Sequence, residues 1–273
     1  MPLLCELLQV SRSGYYKWRK RQPSRRQQDD VQLSERIAAV HRESRGAYGA
    51  PRIVQELREA GTPISQRRCH RLMRERQLCG RKGRRRRLCT TDSSHGQVPV
   101  PNLLRQSAPP TQPNQVWITD ITYLATASGW LYLSAIVDLW SRRVVGWASA
   151  TTLQAGLVMA ALRAALDQRT VPKGLIHHSD RGSQYVDEDY VRLLEQHGIV
   201  RSMSRAGNCY DNAVMESFWA TLKVEAEFEA RLPADQSEAD LRVFDYIETF
   251  YNPVRRHSSL GGCSPVAFEN NNN

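Results

Sequence analysis

Three acidic residues set inside apolar segments constrain the fold of this chain more than any other feature. Asp120 interrupts the apolar run at residues 116–124, and Asp180 ends a second apolar run. Glu216 lies in residues 212–219, a stretch typical of the inner face of a helix. Carboxylates that point toward a core cannot stay buried unpaired, and like charges held close together raise one another's pKa. A hard divalent cation such as Mg²⁺ or Mn²⁺ removes both penalties, so the three positions predict a metal-dependent site.

The pattern of apolar residues around these acids predicts an α/β domain over residues 115–230. β-Branched and aromatic runs separated by turn signals indicate five strands, and longer periodic runs indicate helices. The predicted strands cover residues 116–125, 130–138, 143–148, 175–178 and 200–204. The predicted helices cover residues 153–168 and 187–198, and a third carries Glu216. Three antiparallel strands followed by helix, strand, helix, strand and helix give the order of the ribonuclease-H-like fold, with a five-stranded mixed sheet.

Charge is divided unequally along the chain. Residues 1–100 carry 23 Lys and Arg against 9 Asp and Glu, whereas residues 101–273 carry 15 against 19. A basic first half joined to a slightly acidic second half predicts a nucleic-acid-binding region attached to a catalytic one. A solvated basic surface is the alternative. Residues 90–114, rich in proline and serine, predict a linker, and residues 231–273 predict a C-terminal helix over residues 240–251 and a tail.

The basic half contains a helix-turn-helix pattern. Residues 1–30 read as a helical and basic segment, and residues 31–89 contain three helical runs, the first beginning at Val31. Ser65 is a strong N-cap candidate for the third run, which spans residues 66–77 and suits a reading helix in a major groove. The arginines predicted to contact DNA are Arg67, Arg68, Arg71 and Arg74 on this helix, and Arg84 and Arg85 in the basic run after it.

Four blocks of sequence carry a resemblance to a known family. They are WITDITY at residues 117–123, HSDRGSQY at 178–185, DNAVMESF at 211–218 and YNPVRRHSSLG at 251–261. With the thirty-five residues that separate Asp180 from Glu216, these blocks make the chain similar to the insertion-sequence-three (OrfB-type) bacterial transposases over nearly its whole length. The resemblance implies a retroviral-integrase-like catalytic core of the DDE superfamily, preceded by an all-α helix-turn-helix region.

The resemblance also implies a reaction and its cofactors. Asp120, Asp180 and Glu216 would form the catalytic triad and bind two Mg²⁺ or Mn²⁺ ions, with Asp120 bridging both. The enzyme would cleave the ends of an insertion sequence and join the freed 3′-hydroxyls to target DNA. Lys223, two turns after Glu216, would contact DNA. Asn212, one turn before Glu216, would either orient that carboxylate or contact DNA. The alternatives for these two are an exposed lysine and a helix-capping asparagine.

The resemblance also implies several binding partners. DNA is expected both as terminal inverted repeats and as target, with a homo-oligomer assembled on it and an upstream-frame protein fused to the chain or working with it. A cytoplasmic, nucleoid-associated location without membrane contact is expected, because no apolar run is long enough to cross a bilayer and the N-terminus lacks the order of a signal peptide. The six cysteines contain no Cys-x-x-Cys pair, which argues against a zinc site.

Two rival functions stay open at this point. A ribonuclease-H-type nuclease would cut without strand transfer, and a DNA-binding regulator would carry a degenerate core. Neighbouring residues have open roles as well. His177 and His178 are expected to be structural rather than metal ligands. Arg255, Arg256 and His257 would either hold DNA or form a surface tail.

Overall fold

The computed structural model of the chain describes residues 2–81, 83, 100–105, 107–204 and 212–272. The chain divides into two compact units, Met1–Gly80 and Arg81–Asn273. Arg84 and Arg85, which the sequence predicts to contact DNA, lie outside the described residues.

The described part of the first unit consists of five helices. They are α1 (Pro2–Leu7), α2 (Arg12–Arg19), α3 (Arg25–Glu43), α4 (Ala50–Glu59) and α5 (Gln66–Glu75). The last three pack around an apolar core whose members include Ile37, Ile53, Leu57, Leu72 and Met73. Ser65 caps α5 as predicted, since its hydroxyl accepts from the backbone N–H of Arg68 at 3.3 Å.

Helix α3 begins six residues before the start predicted at Val31. Ser24 closes a capping box with Gln27: the Ser24 hydroxyl accepts from the Gln27 backbone N–H at 3.3 Å, and Gln27 Oε1 accepts from the Ser24 backbone N–H at 2.7 Å. The predicted start is wrong because it followed the first apolar residue. The capping box Ser-x-x-Gln begins the helix earlier, in a polar stretch without periodicity.

The second unit contains a five-stranded mixed sheet, as predicted. Its strands are β1 (Val116–Thr126), β2 (Gly129–Asp138), β3 (Val144–Ala150), β4 (Ile176–Ser179) and β5 (Val200–Met203). The strand order is β3-β2-β1-β4-β5, with β1 to β3 antiparallel and β4 and β5 parallel to β1. The longest strand, β1, therefore lies at the centre, where both of its edges are paired.

Helices pack around this sheet. They are α6 (Ala155–Gln168), α7 (Glu188–Gln196), α8 (Ala213–Glu225), α9 (Gln236–Phe244) and α10 (Pro265–Asn272). A π-helical segment, Asp245–Tyr251, continues α9 and buries four of its side chains. Helix α10 was not predicted; Glu269 on it is bound by Arg143 at 2.8 Å and by Arg169 at 2.8 Å, ion pairs that residue spacing does not reveal. No helix in the described ranges combines the length and apolar character that a bilayer crossing needs.

Candidate active site

Parallel pairing of β1 with β4 places two of the three predicted acids at the same level of the sheet. Ile118 pairs with His178, and Asp120 and Asp180 each follow two residues later. Asp180 is the first residue after β4, and its charge contributes to raising the pKa of Asp120, so the two carboxylates lie near one another. The Asp120 carboxylate is partly buried, as is that of Asp180.

Glu216 stands in the first turn of α8, but not on its inner face. Met215, Phe218, Trp219 and Leu222 are buried at helical spacing, whereas Glu216 is exposed. The expectation of an inward glutamate is therefore wrong. Glu216 lies one residue after Met215, about 100° around the helix, so it falls at the border of the apolar stripe rather than in it.

Helix α8 is tied to Asp120 by a hydrogen bond that the sequence did not reveal. The indole Nε1–H of Trp219 donates to Asp120 Oδ2 at 3.0 Å. Trp219 belongs to the buried face of α8, and its ring packs against Phe218 with centroids 4.8 Å apart. The donor and the acceptor are 99 residues apart in the chain, so the periodicity of apolar residues cannot predict this contact.

The electrostatic setting of Asp120 opposes its ionisation. Burial and the nearby charge of Asp180, with a smaller effect of Glu216, raise the pKa of Asp120 to about 7. The hydrogen bonds from the Ile121 backbone and the Trp219 indole act in the opposite direction. Asp180 and Glu216 are thus both close enough to Asp120 to oppose its ionisation.

The donor set fits a hard divalent cation in its chemistry. Asp120, Asp180 and Glu216 offer only carboxylate oxygens, the ligands Mg²⁺ and Mn²⁺ prefer, and a cation would relieve the repulsion that raises the Asp120 pKa. Within the described residues, no three His, Cys, Asp or Glu side chains are gathered closely enough to enclose an ion. Convergence of the three carboxylates on one metal site therefore stays a prediction.

The turn after β4 fixes the Asp180 carboxylate. The backbone N–H of Gly182 donates to Asp180 Oδ1 at 2.9 Å. A Cβ at residue 182 would lie 3.1 Å from Asp180 Oδ1 and 3.1 Å from Gln184 Oε1, so a larger residue at this position would shift these side chains slightly. The Asp-x-Gly spacing in the sequence is the signal that would have predicted this turn.

His177 and His178 form hydrogen bonds to hydroxyl groups in the core. His177 Nε2 lies 2.6 Å from the Tyr190 hydroxyl, and burial lowers the pKa of His177 to about 3, which keeps its ring neutral. His178 Nδ1 lies 2.8 Å from Ser202 Oγ and its Nε2 lies 3.0 Å from Ser204 Oγ. These bonds support the structural role expected for both rings.

Lys223 and Asn212 are not the exposed lysine and the helix-capping asparagine that were the alternatives to DNA contact. Lys223 is half-buried rather than exposed; burial lowers its pKa, and the charges of Asp120 and Glu229 oppose that shift. Asn212 precedes α8 but makes no side-chain capping bond, and its buried Oδ1 has no hydrogen-bond partner in the part of the chain that the structure describes. Whether either residue contacts DNA stays a prediction.

The four arginines predicted on α5 fall into two classes. Asp30 on α3 binds Arg68 Nε at 2.7 Å and Arg71 Nη2 at 2.7 Å, and both arginines are half-buried. The two hydrogen bonds lower the pKa of Asp30 against the effect of burial. Arg67 and Arg74 are exposed on the same helix. Of these four arginines, Arg67 and Arg74 are therefore the more exposed pair.

The C-terminal block is partly structural. Arg255 is buried and binds Glu225, the last residue of α8, through Nε–Oε2 at 2.6 Å and Nη2–Oε1 at 2.8 Å. The alternatives of a DNA contact or a surface tail are therefore wrong for Arg255. Arg256 is half-buried and donates to the Gly262 carbonyl at 2.9 Å, and His257 packs its ring against Tyr251.

Comparison with known proteins agrees with this architecture. Residues 110–209 and again residues 197–265 match family models described as integrase core domain, and residues 27–87 match one described as HTH-like domain. The chain is 47% identical over 265 residues to the insertion element IS600 uncharacterized 31 kDa protein of Shigella sonnei, covering 97% of each chain. It is 42% identical over 272 residues to the transposase InsF for insertion sequence IS3A of Escherichia coli, covering 98% of this chain and 93% of the relative.

Among solved structures, the HTLV-2 integrase catalytic core domain in complex with magnesium matches 58% of this chain and 98% of its own, with 15% identity and a TM-score of 0.44.

Fold and site together define an integrase-core protein with an HTH-like region before the core. The chain belongs to the family of IS3-type insertion-sequence transposases, which are DDE-type polynucleotidyl transferases. This membership confirms the family and the fold class that the sequence blocks predicted.

Proposed function

We propose that the chain cleaves the ends of an insertion sequence and transfers them to target DNA through Asp120, Asp180 and Glu216. The observation that carries this proposal is the parallel pairing of β1 with β4, in which Ile118 pairs with His178 and the two acids Asp120 and Asp180 each follow two residues later. Helix α8 brings the third close enough to affect the pKa of Asp120. Three carboxylates from three rigid elements suit a site that must keep its geometry while DNA is exchanged.

The three carboxylates would hold two Mg²⁺ or Mn²⁺ ions. When bound, such ions polarise the scissile phosphate and activate a water or a 3′-hydroxyl for in-line attack. The protein's own part is to orient the carboxylates. The Gly182 N–H holds the Asp180 carboxylate, and the Trp219 indole holds that of Asp120. Because the pKa of Asp120 is about 7 without metal, binding of a cation would drive the remaining proton off this carboxyl group.

Element-end DNA and target DNA are the proposed partners, bound in part through the first unit. Arg67 and Arg74 are the arginines on α5 best placed to contact phosphates, since Asp30 already binds the other two. We also propose assembly of several copies on DNA, cooperation with an upstream-frame protein, and action at the nucleoid, as the family resemblance implies.

The arginine assignment predicts two different responses to alanine substitution. Arg67→Ala with Arg74→Ala should reduce the salt dependence of DNA binding by about two phosphate contacts and weaken binding about 10-fold at moderate salt. The matched double variant Arg68→Ala with Arg71→Ala should keep most of the salt dependence, because Asp30 and Glu75 already pair with these two guanidinium groups. The measurement is binding of element-end DNA against salt concentration. A larger loss of slope in the Arg68/Arg71 variant would contradict the assignment.

A strand-transfer assay tests the function itself. The full chain, with an upstream-frame protein if one is required, is given Mg²⁺, a pre-cut element end and a supercoiled target. We expect the element's 3′-end to become joined to the target. Hydrolysis products alone would favour the nuclease, and DNA binding without either product would favour the regulator.

A further inference from the structure

One directional bond links the helix that carries Glu216 to the strand that carries Asp120. It is the hydrogen bond from Trp219 Nε1–H to Asp120 Oδ2, 3.0 Å long. The donor ring is only 5% exposed, and the acceptor is partly buried, so water competes weakly for either group. A bond in such a setting restricts both partners more than a surface contact does.

Apart from Glu225 at its C-terminal end, which pairs with Arg255, the other buried residues of α8 are apolar. Met215, Phe218 and Leu222 pack inward beside Trp219. Apolar burial is non-directional and tolerates small slides and rotations of a helix, whereas a hydrogen bond weakens steeply with angle and distance. Glu216 lies three residues before Trp219, one turn away on the same side of the helix. Fixing the Trp219 indole against Asp120 therefore also fixes where Glu216 stands relative to that carboxylate.

We propose that Trp219 is a positioning residue of the active site, which holds one oxygen of Asp120 and sets the register of α8 against β1. The inference rests on the proposed role of Asp120 as a metal ligand. An ionised carboxylate has about four lone-pair sites, so the bonds from the Trp219 indole and the Ile121 backbone leave the others open to a cation. Partners that orient a metal ligand in this way typically contribute about 10–100-fold in metal affinity or activity.

The sharpest test compares Trp219→Phe with Trp147→Phe in the full chain. Trp147 on β3 makes the same kind of bond, from Nε1–H to Glu248 Oε1 at 2.8 Å, and β3 is not a neighbour of β1 in the sheet. Each substitution removes one indole-to-carboxylate bond and keeps an aromatic ring. Trp219→Phe should lower the cleavage rate at saturating element-end DNA about 10–100-fold with KM for that DNA unchanged. Trp147→Phe should change neither constant.

A second measurement does not depend on activity. Calorimetric titration with Mn²⁺ in the absence of DNA should show an affinity about 10-fold lower in Trp219→Phe than in Trp147→Phe. In ¹H–¹⁵N spectra of the full chain, Asp120→Ala should move the assigned Trp219 indole resonance and leave that of Trp147 in place. This measurement applies even if Trp219→Phe does not fold.

Equal rates and equal Mn²⁺ affinities in the two folded phenylalanine variants would overturn the positioning role. An unmoved Trp219 resonance in Asp120→Ala would overturn it as well. Failure of the proposed function can be told apart from failure of the positioning role. If the proposed function is wrong, Asp120→Asn will cleave DNA at the rate of the unaltered chain.

Discussion

Replacing Asp120 with asparagine should abolish DNA cleavage and, without metal, stabilise the second unit. Asparagine keeps the shape of the side chain but removes the charge that a cation would bind, so cleavage should fall by at least about 10³-fold. Stability should rise because the metal-free protein holds this carboxyl in a setting that opposes its ionisation. Burial and the charges of Asp180 and Glu216 raise the pKa of Asp120 to about 7.

The stability gain should depend on pH. Because the pKa of Asp120 is about 7 in the folded chain against an ordinary value of 3.8, the folded state binds this proton more tightly than the unfolded state. The stabilisation that results is complete below about pH 4 and is lost as the pH rises toward 7. The asparagine variant has no such loss, so its advantage should increase by on the order of 1–3 kcal/mol between pH 5 and pH 8.

Thermal unfolding in a chelator, measured from pH 5 to pH 8, tests the stability half of this prediction. Asp167→Asn is the matched control, since Asp167 is exposed on α6 and should alter neither stability nor cleavage. Added Mg²⁺ should raise the unfolding temperature of the unaltered chain and not that of Asp120→Asn. Cleavage at the unaltered rate by Asp120→Asn would falsify the role assigned to this carboxylate.

The sheet could be predicted from the sequence because its signals are local. Alternating and β-branched runs marked all five strands to within one or two residues at most ends, and the order of strands and helices indicated the fold class. Helix α10 was missed because its last three residues are asparagine, a poor helix former, and its attachment depends on Glu269 binding two distant arginines.

Parts of the site cannot be predicted from the local periodicity of apolar residues. The exposure of Glu216 could have been predicted from the sequence, because the apolar residues from Met215 to Leu222 form a stripe along α8 that leaves residue 216 at its edge. The bond between Trp219 and Asp120 was not, because it joins residues on different elements. The ion pair of Glu225 and Arg255 could not be predicted for the same reason. The basic sequence around Arg255 suggested a DNA contact, but in the structure this arginine is buried against Glu225. The catalytic roles of the three acids stay predictions.

The buried pair of Glu225 and Arg255 should be the most sensitive ion pair in the second unit. Both side chains are 7% exposed. The guanidinium donates two hydrogen bonds to the carboxylate, with N–O distances of 2.6 Å and 2.8 Å. The Tyr246 hydroxyl donates to the same carboxylate at 2.9 Å. Glu225 ends α8, so this cluster holds the C-terminal end of the helix whose first turn carries Glu216.

Arg255→Leu should therefore destabilise the second unit by about 3–5 kcal/mol, because it leaves a buried carboxylate without its cation. Arg255→Lys should recover only part of that loss, since an ammonium group cannot reproduce the two-point contact. Combining Arg255→Leu with Glu225→Leu should be less damaging than Arg255→Leu alone, because no charge is then left unpaired in the core. Urea unfolding of the four chains gives the free energies.

The surface pair Arg192 and Asp189 on α7 provides the control. Its side chains are 64% and 73% exposed, and its N–O distance is 3.0 Å, so Arg192→Leu should cost less than about 1 kcal/mol. Similar losses for Arg255→Leu and Arg192→Leu would contradict a buried, tightly coupled pair. If the pair anchors α8, DNA cleavage should fall along with stability in Arg255→Leu and return in part in the double variant, since the end of the helix is then packed without an unpaired charge.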